Sequence, residues 1–278
     1  MNIKNEFDIL NNCPICNSNK LQILLKTNTM HPSSDILIDL IECNNCQHWF
    51  INPMPQQTIL NEFYSTQSEY VVPRGYVGTQ DTNEEHSYLK IIFDKISNGN
   101  KYIELGVGSG HLFNQVKLRN SQGITVGIEP APWHEDSNIF KSIDEVTSND
   151  FDFATSFDVL EHLKSPLLMT SKLSSLLKSG GTLMLSFPNK DSLIAKAQQK
   201  KWSMFSPFGH LHYFSYKSVQ IMLNKSGLDL IAIRRMRPGN MTTMQSIKIA
   251  LKSKNFIKFF IRITLLGKDQ WFVEARKK

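Results

Sequence analysis

The sequence predicts an α/β fold with a mainly parallel sheet, preceded by a small cysteine-rich module. Three observations support this prediction. An apolar strand at 102–105 passes through a glycine turn into a helix that begins near His111. A second strand, at 124–129, ends on an acidic residue, about twenty positions after the turn, as is usual in βαβ units. All four cysteines precede residue 50, which sets the N-terminal segment apart.

The glycine turn is the stretch 104–111, Glu-Leu-Gly-Val-Gly-Ser-Gly-His. Gly106, Gly108 and Gly110 can adopt backbone angles that are closed to other residues, and they leave room for a ligand against the main chain. Backbone N–H groups in such a turn, together with the helix N-terminus behind it, favour an anionic group such as a carboxylate. The dinucleotide-binding fingerprint expects a glycine at the position of His111. An ordinary strand–turn–helix is the alternative interpretation.

The order Glu-x-Gly-x-Gly-x-Gly resembles the first motif of class I S-adenosylmethionine (SAM) methyltransferases. The later stretch 151–162, Phe-Asp-x-x-x-x-x-Asp-Val-Leu-Glu-His, is similar to the fourth-strand motif of the same enzymes. This resemblance implies a Rossmann-like, seven-stranded methyltransferase sheet with SAM as cofactor, whose ribose hydroxyls Glu129 would hold. The resemblance assigns six residues to the cofactor: Glu104, Gly106, Gly108, Gly110, Glu129 and Asp158.

The four cysteines form two Cys-x-x-Cys pairs: Cys13 with Cys16, and Cys43 with Cys46. Two such pairs place four thiolates around one tetrahedral, structural zinc ion. The 26 residues between the pairs exceed the usual fifteen to twenty, and a hairpin of 21–25 with 35–41 would close the gap. Zinc would also stabilise a module too short to bury much core. Disulfides or a redox pair are the alternatives. His31 and His48 are interpreted as surface or packing residues.

This chain would carry a zinc-binding module before its methyltransferase domain. The arrangement resembles that of a bacterial family that includes sugar methyltransferases and enzymes of surface-polysaccharide clusters. Pro53 and Pro55 mark the end of the module, because proline stops regular structure. The resemblance implies three segments: a zinc-ribbon-like module at 1–56, a connector and helix at 57–98, and a methyltransferase domain at 99–278 with a substrate-pocket insertion at 188–216.

Hydrophobic periodicity and turn residues place the remaining elements. Expected helices lie at 58–64, 83–96 and 216–225, and another runs from Pro166 to the glycines at 180–181. Expected strands lie at 139–142, 151–157, 182–187, 228–234 and 270–276, with the last one antiparallel beside the fifth. The segment 65–81 is expected to be a loop. If this loop covers the cofactor, Tyr64, Tyr70 and Tyr76 would line the site; packing of these tyrosines on the zinc module is the alternative.

An oxygen acceptor has to lose its proton during methylation, and histidine is the usual base near neutral pH. Three histidines lie in segments that an acceptor could reach; in order of preference they are His210, His162 and His212. Residues two apart on an extended segment face the same way, so we expect His210 and His212 to lie together. If no histidine acts, the rate would depend on proximity alone.

Together these resemblances imply a SAM-dependent methyltransferase that modifies an oxygen of a small or sugar-like acceptor, in surface polysaccharide biosynthesis. The alternatives are a zinc-ribbon RNA methyltransferase and a non-catalytic docking module. Enzymes that methylate base amines carry Asn/Asp-Pro-Pro-Tyr after the fourth strand, whereas 157–160 reads Phe-Asp-Val-Leu. This difference counts against base amines of nucleic acid as the substrate. The acceptor, and whether oxygen, nitrogen or carbon is methylated, stay open.

The net charge of +6 is unevenly distributed. Residues 234–278 contain twelve Lys or Arg and two Asp or Glu, a balance of +10, so the rest of the chain carries −4. The segment 241–266 has the pattern of a basic amphipathic helix, which suits peripheral membrane contact or packing against the sheet or a partner subunit. No apolar stretch is long enough for a transmembrane helix, and the first ten residues lack a signal core. A cytoplasmic enzyme is therefore expected.

Overall fold

The computed structural model describes residues 7–30, 37–66, 87–131, 134–206, 209–236 and 269–278. Its N-terminal part contains short strands and two helices. These elements are β1 (Phe7–Asp8), β2 (Leu21–Met30), β3 (Leu37–Cys43), β4 (Trp49–Asn52), β5 (Met54–Pro55), α1 (Gln57–Thr66) and α2 (Ser87–Phe93). The predicted zinc-module hairpin is present, since β2 and β3 pair antiparallel with Leu21 opposite Cys43.

The rest of the described chain contains eight strands and four α-helices, most of them where the glycine and hydrophobic patterns predicted. They are β6 (Lys101–Leu105), α3 (His111–Arg119), β7 (Ile124–Ile128), β8 (Ile139–Phe140), β9 (Phe151–Phe157), α4 (Pro166–Leu176), β10 (Leu177–Pro188), α5 (Leu193–Gln198), β11 (His212–Tyr213), α6 (Tyr216–Lys225), β12 (Leu228–Met236) and β13 (Gln270–Lys277).

A seven-stranded sheet forms the centre of the molecule, in the order β12-β13-β10-β9-β6-β7-β8. The strands from β10 to β8 are parallel, and β13 runs antiparallel between β10 and β12. This confirms the predicted Rossmann-like sheet, including the position of its last strand. In such sheets ligands bind at the carboxyl ends of the parallel strands, so the glycine turn after β6 lies at the expected edge.

The end of α4 differs from the prediction. We expected this helix to continue to the glycines at 180–181, but it ends at Leu176. Leu177 is already extended and pairs with Phe151 of β9, and the register shifts before pairing resumes at Thr182. Gly180, with φ +75°, lies within this irregular strand entrance rather than at a helix terminus, so the glycine pair was misinterpreted.

A strand of the predicted substrate-pocket insertion joins the N-terminal sheet. The order of this second sheet is β11-β4-β3-β2, and β11 pairs antiparallel with β4, His212 opposite Phe50 and Tyr213 opposite Trp49. No sequence pattern indicated this pairing. It ties two segments that are about 160 residues apart in the chain into one sheet.

The N-terminal module and the large domain share a hydrophobic core. Buried Cys13, Cys43 and Cys46 belong to the same cluster of contacting side chains as residues of β10 and α6. The two parts are also joined by polar contacts, because Ser215 Oγ donates to the Cys46 carbonyl at 2.6 Å and Lys225 Nζ donates to the Ile15 carbonyl at 2.9 Å. The cysteine-rich module is thus packed on the domain.

Several expectations concern residues outside the described ranges. These are the basic helix at 241–266, the cap of the 83–96 helix at Asn83, the two tyrosines of the 65–81 loop, and His31. Among the helices that the structure describes, none combines the length and apolar composition needed to cross a membrane.

Candidate active site

The glycine turn after β6 has the backbone that only glycine adopts readily. Gly106 has φ +81°, and its N–H donates to the Ile128 carbonyl of β7 at 2.8 Å. A Cβ at this position would lie 2.2 Å from Cγ2 of Val159, so glycine is required both by conformation and by close approach. A Cβ at Gly108, φ +54°, would meet nothing within 4 Å. The turn is therefore closed on the Val159 side and open at Gly108.

Glu129, directly after β7, lies against this turn. Its Oε2 accepts a hydrogen bond from Gly108 N at 2.9 Å, and its Oε1 accepts one from Ala131 N at 3.2 Å. His134 contacts the other side of the turn, with Nε2 2.7 Å from the Gly108 carbonyl oxygen. Sequence reasoning placed Glu129 correctly beside the glycines but missed His134, to which no motif points.

Glu104 has its carboxyl group inside the fold. The side chain is buried and accepts a hydrogen bond from the Tyr102 hydroxyl at 3.1 Å. Burial raises the pKa of Glu104 to about 8, the charge of Glu129 adds to the rise, and the Tyr102 hydrogen bond opposes it. The Glu104 carboxyl is therefore largely neutral at pH 7.

Asp158 follows β9 at the same edge and is held by two other strands. Its backbone has φ +56°, a conformation that aspartate tolerates better than most residues. Its N–H donates to the Ser186 carbonyl at 3.0 Å. Its carboxylate accepts from Ser186 Oγ at 3.0 Å and also from Gln270 Nε2. β10 and β13 thus hold this side chain beside the turn.

Two of the three candidate histidines come together next to Asp158. A short 3₁₀ helix, Leu160–His162, follows the aspartate. Nδ1 of His162 donates to the Gly209 carbonyl at 2.5 Å, and the Glu161 carbonyl accepts from Leu211 N at 2.7 Å. The insertion therefore runs alongside this helix, and the ring of His210 lies edge-on to that of His162 with centroids 4.8 Å apart.

Burial keeps this histidine pair uncharged. Burial, reinforced by His210, lowers the pKa of His162 to about 3, although its hydrogen bond to Gly209 acts the other way. Burial likewise lowers the pKa of His210. Burial and the charge of Asp158 raise the pKa of the adjacent Glu161 well above its usual range.

His212 does not join this pair, contrary to the expected grouping with His210. Its Nδ1 lies 3.1 Å from Nε2 of His48, and both rings are fully buried. His48 also packs on Phe50 and Phe214, which agrees with its interpretation as a packing residue. The pairing of β11 with β4 is the physical reason, because it aims His212 at the N-terminal sheet.

The four cysteines converge in the N-terminal module, which packs against α6. The sulfur atoms of Cys13 and Cys46 are 3.5 Å apart, as are those of Cys16 and Cys43, and all four lie within 4.8 Å of one another. Zinc–sulfur bonds of about 2.3 Å in a tetrahedron would separate the sulfurs by about 3.8 Å. The hydrogen bond with Cys46 lowers the pKa of the Cys13 thiol to about 5. The cysteines are free thiols in an arrangement that fits one zinc ion.

A seven-stranded sheet with one antiparallel strand, and a glycine turn and an acidic residue at its carboxyl edge, define the methyltransferase class of α/β proteins. A family model described as "Methyltransferase domain" matches residues 81–233. Because this match covers more than half of the chain, the protein belongs to that family. No match was found among curated protein sequences.

Solved structures share the fold at low sequence identity. One is Haemonchus contortus phosphoethanolamine N-methyltransferase 2, in complex with S-adenosyl-L-methionine (TM-score 0.54, 15% identity, 82% of this chain and 62% of that chain). Another comes from the Haloferax volcanii complex that contains the Trm112 methyltransferase activator (TM-score 0.54, 12% identity, 75% of this chain and 96% of that chain). A third is the magnesium protoporphyrin IX methyltransferase of Synechocystis, with bound SAH (TM-score 0.50, 16% identity, 80% of this chain and 100% of that chain).

Proposed function

We propose that this protein is a SAM-dependent methyltransferase that modifies an oxygen atom of a small or sugar-like acceptor, in the biosynthesis of surface polysaccharides. The proposal depends above all on one observation. An open glycine turn, two carboxylates and a pair of neutral histidines meet at the carboxyl edge of the parallel strands, where α/β sheets bind their ligands.

The cofactor would lie on the turn between Gly106 and Gly110. Gly108 leaves open space, and Glu129 stands beside it as an acceptor for ribose hydroxyls. The hydrogen bonds from Ser186 and Gln270 hold the side chain of Asp158 at the same edge. When bound, SAM supplies an electrophilic methyl group for in-line displacement. Proximity and alignment can account for most of the acceleration of such a step.

The acceptor would meet the histidine pair. His162 and His210 are half-buried, and the insertion that carries His210 also contributes Trp202, Phe205 and Tyr213 to an apolar cluster. A dry, apolar environment suits a reaction in which the sulfonium charge disappears. We propose that His210 and His162 promote loss of the proton from the acceptor oxygen. His212 has no part in this step, because it is buried against His48.

The first experiment is calorimetric titration of the full chain with SAM. Gly106→Arg fills the closed side of the turn and should abolish binding. Gly180→Arg is the matched control, because Gly180 also has a positive φ but is exposed, with open space around it; this variant should bind like the wild type. A wild-type protein that does not bind SAM would refute the cofactor assignment and favour the non-catalytic docking alternative.

The second experiment uses SAM with a labelled methyl group. Label should appear on nucleotide sugars or lipid-linked glycans, and mass spectrometry of the product should place the methyl on oxygen. Transfer to RNA, or RNA binding that weakens steeply with salt, would instead support the RNA methyltransferase alternative.

We also propose that the four-cysteine cluster holds one structural zinc ion. Four cysteine ligands leave no open position, so this ion would stabilise the fold and take no part in methyl transfer. The support is the close spacing of the four sulfur atoms and their burial within the shared core.

A further inference from the structure

Glu161, His162 and His210 form a second cluster of metal-ligating side chains, at the acceptor end of the proposed active site. One carboxylate oxygen and one nitrogen from each ring all lie within 4.8 Å of one another. Bonds of about 2.1 Å to a common ion would place these atoms about 3–3.5 Å apart, so small side-chain rotations suffice. We propose that this cluster binds a divalent first-row transition-metal ion.

The Glu161 carboxyl group is the first reason. The residue is 1% exposed, and within the part of the chain that the structure describes neither carboxylate oxygen has a hydrogen-bond partner. Burying such a group without a partner is costly, whether it is charged or neutral. The carboxylate of Asp158 also lies near Glu161, so the surroundings favour a cation over a further anion.

The orientation of the two imidazoles is the second reason. Nδ1 of His162 donates to the Gly209 carbonyl, and Nδ1 of His210 donates to the Met204 carbonyl at 2.7 Å. A neutral ring that donates through Nδ1 carries its lone pair on Nε2. Metal-ligating histidines typically have this arrangement, with the second nitrogen bonded to a backbone carbonyl.

The ligand set indicates the class of ion. Two imidazoles suit zinc, iron, nickel or copper, and one carboxylate extends the range to manganese. Three protein ligands leave open coordination positions, as in catalytic rather than structural sites. The carboxylate is buried whereas both histidines are half-buried, so the open positions would face the histidine side, where the acceptor is proposed to bind.

The role of the ion in catalysis rests on the proposed function. An acceptor with two adjacent oxygens, such as a vicinal diol of a sugar, could occupy two open positions. The bound ion would lower the pKa of one hydroxyl, whose proton leaves to solvent. That oxygen then forms the new bond to the methyl carbon as the carbon–sulfur bond breaks. Nε2 of each histidine would act as a ligand, so proton loss would need no histidine base.

The test is calorimetry on the full chain after its four-cysteine site has been loaded with zinc, titrated separately with Zn²⁺ and with Mn²⁺. We expect one further ion per chain with either metal. Glu161→Gln and His210→Gln should each weaken this binding at least tenfold, and Glu145→Gln, a change at an exposed glutamate, should leave it unchanged. The inference is overturned if neither ion finds a further site, or if Glu161→Gln leaves that site intact.

Two measurements distinguish loss of metal binding from an effect on folding and from an effect on cofactor binding. Before the further ion is added, Glu161→Gln should melt at or above the wild-type temperature, since it replaces an unpartnered carboxyl with a neutral group of the same shape. A much lower melting temperature would show that the carboxyl is already partnered, and would overturn the inference. SAM titrations of the same preparations test the proposed function alone, because metal binding does not require SAM.

Discussion

Replacing Gly106 by alanine tests why the turn after β6 is built from glycine. The new Cβ would lie 2.2 Å from Cγ2 of Val159, whereas carbon atoms normally stay about 3.5–4 Å apart. Val159 is β-branched and therefore stiff, so it cannot simply rotate away. The residue would also have to hold φ +81°. The variant thus combines backbone strain with a steric overlap.

Gly108 separates these two effects. Its φ is +54°, and an added Cβ would touch nothing within 4 Å, so Gly108→Ala should cost only the left-handed strain of about 1–2 kcal/mol. Gly106→Ala should add overpacking of about 1–3 kcal/mol, for a total loss of about 2–5 kcal/mol in the free energy of unfolding.

Denaturant unfolding, with SAM calorimetry on the same samples, measures these losses. Adding Val159→Ala to Gly106→Ala removes the overlapping methyl groups and should recover the overpacking part but not the strain. The coupling between the two changes is the interaction energy of a double-mutant cycle. The reasoning fails if Gly106→Ala is as stable as Gly108→Ala, or if Val159→Ala recovers nothing.

Three further predictions address the proposed zinc site, a buried acid and a buried hydrogen bond. Cys43→Ser, or removal of zinc by a chelator, should lower the melting temperature of the whole chain, because the cysteines share the core of the large domain; an unchanged main transition would contradict this. In the folded chain the pKa of Glu104 is about 8, above its usual value. The contribution of Glu104 to the free energy of unfolding is therefore fully present at low pH and is lost as the pH rises from 4.5 towards 8. The free energy of unfolding should therefore fall more steeply over that range in the wild type than in Glu104→Gln, and parallel curves would rule the assignment out. Trp202→Phe removes the 2.8 Å bond from Nε1 to the buried Asp269 carboxylate and should cost about 1–3 kcal/mol, measurable by denaturant unfolding; a loss near zero would mean that the bond contributes little.

Sequence patterns predicted the elements whose signals are local. The strand, glycine turn and helix at 101–119, and the helix Tyr216–Lys225, lie where hydrophobic spacing and turn residues placed them. Glu129 was found because the length of a βαβ unit fixes the distance between a turn and the end of the next strand. The end of α4 was missed because a glycine pair signals a break without saying whether a helix or a strand is broken.

The contacts between distant segments could not be predicted in the same way. β11 is only two residues long and pairs with a strand about 160 positions away, and its residues carry no periodicity that distinguishes a strand from a loop. His162 and His210 were recognised as candidates, yet their contact depends on the backbone bonds that fasten the insertion to the 3₁₀ helix. The contact of His134 with the Gly108 carbonyl was missed because it comes from a loop geometry without a motif.

The docking of β11 onto β4 has a consequence for how the protein can be divided. A fragment that stopped before the insertion would leave the N–H and C=O groups of β4 exposed along a hydrophobic edge, a condition that promotes self-association. A chain that lacks β4 would be affected as well, because His210 lies two positions before β11, the strand that pairs with β4. Deleting the first fifty residues should therefore disturb the proposed acceptor site more than the glycine turn, so SAM binding should be less impaired than methyl transfer.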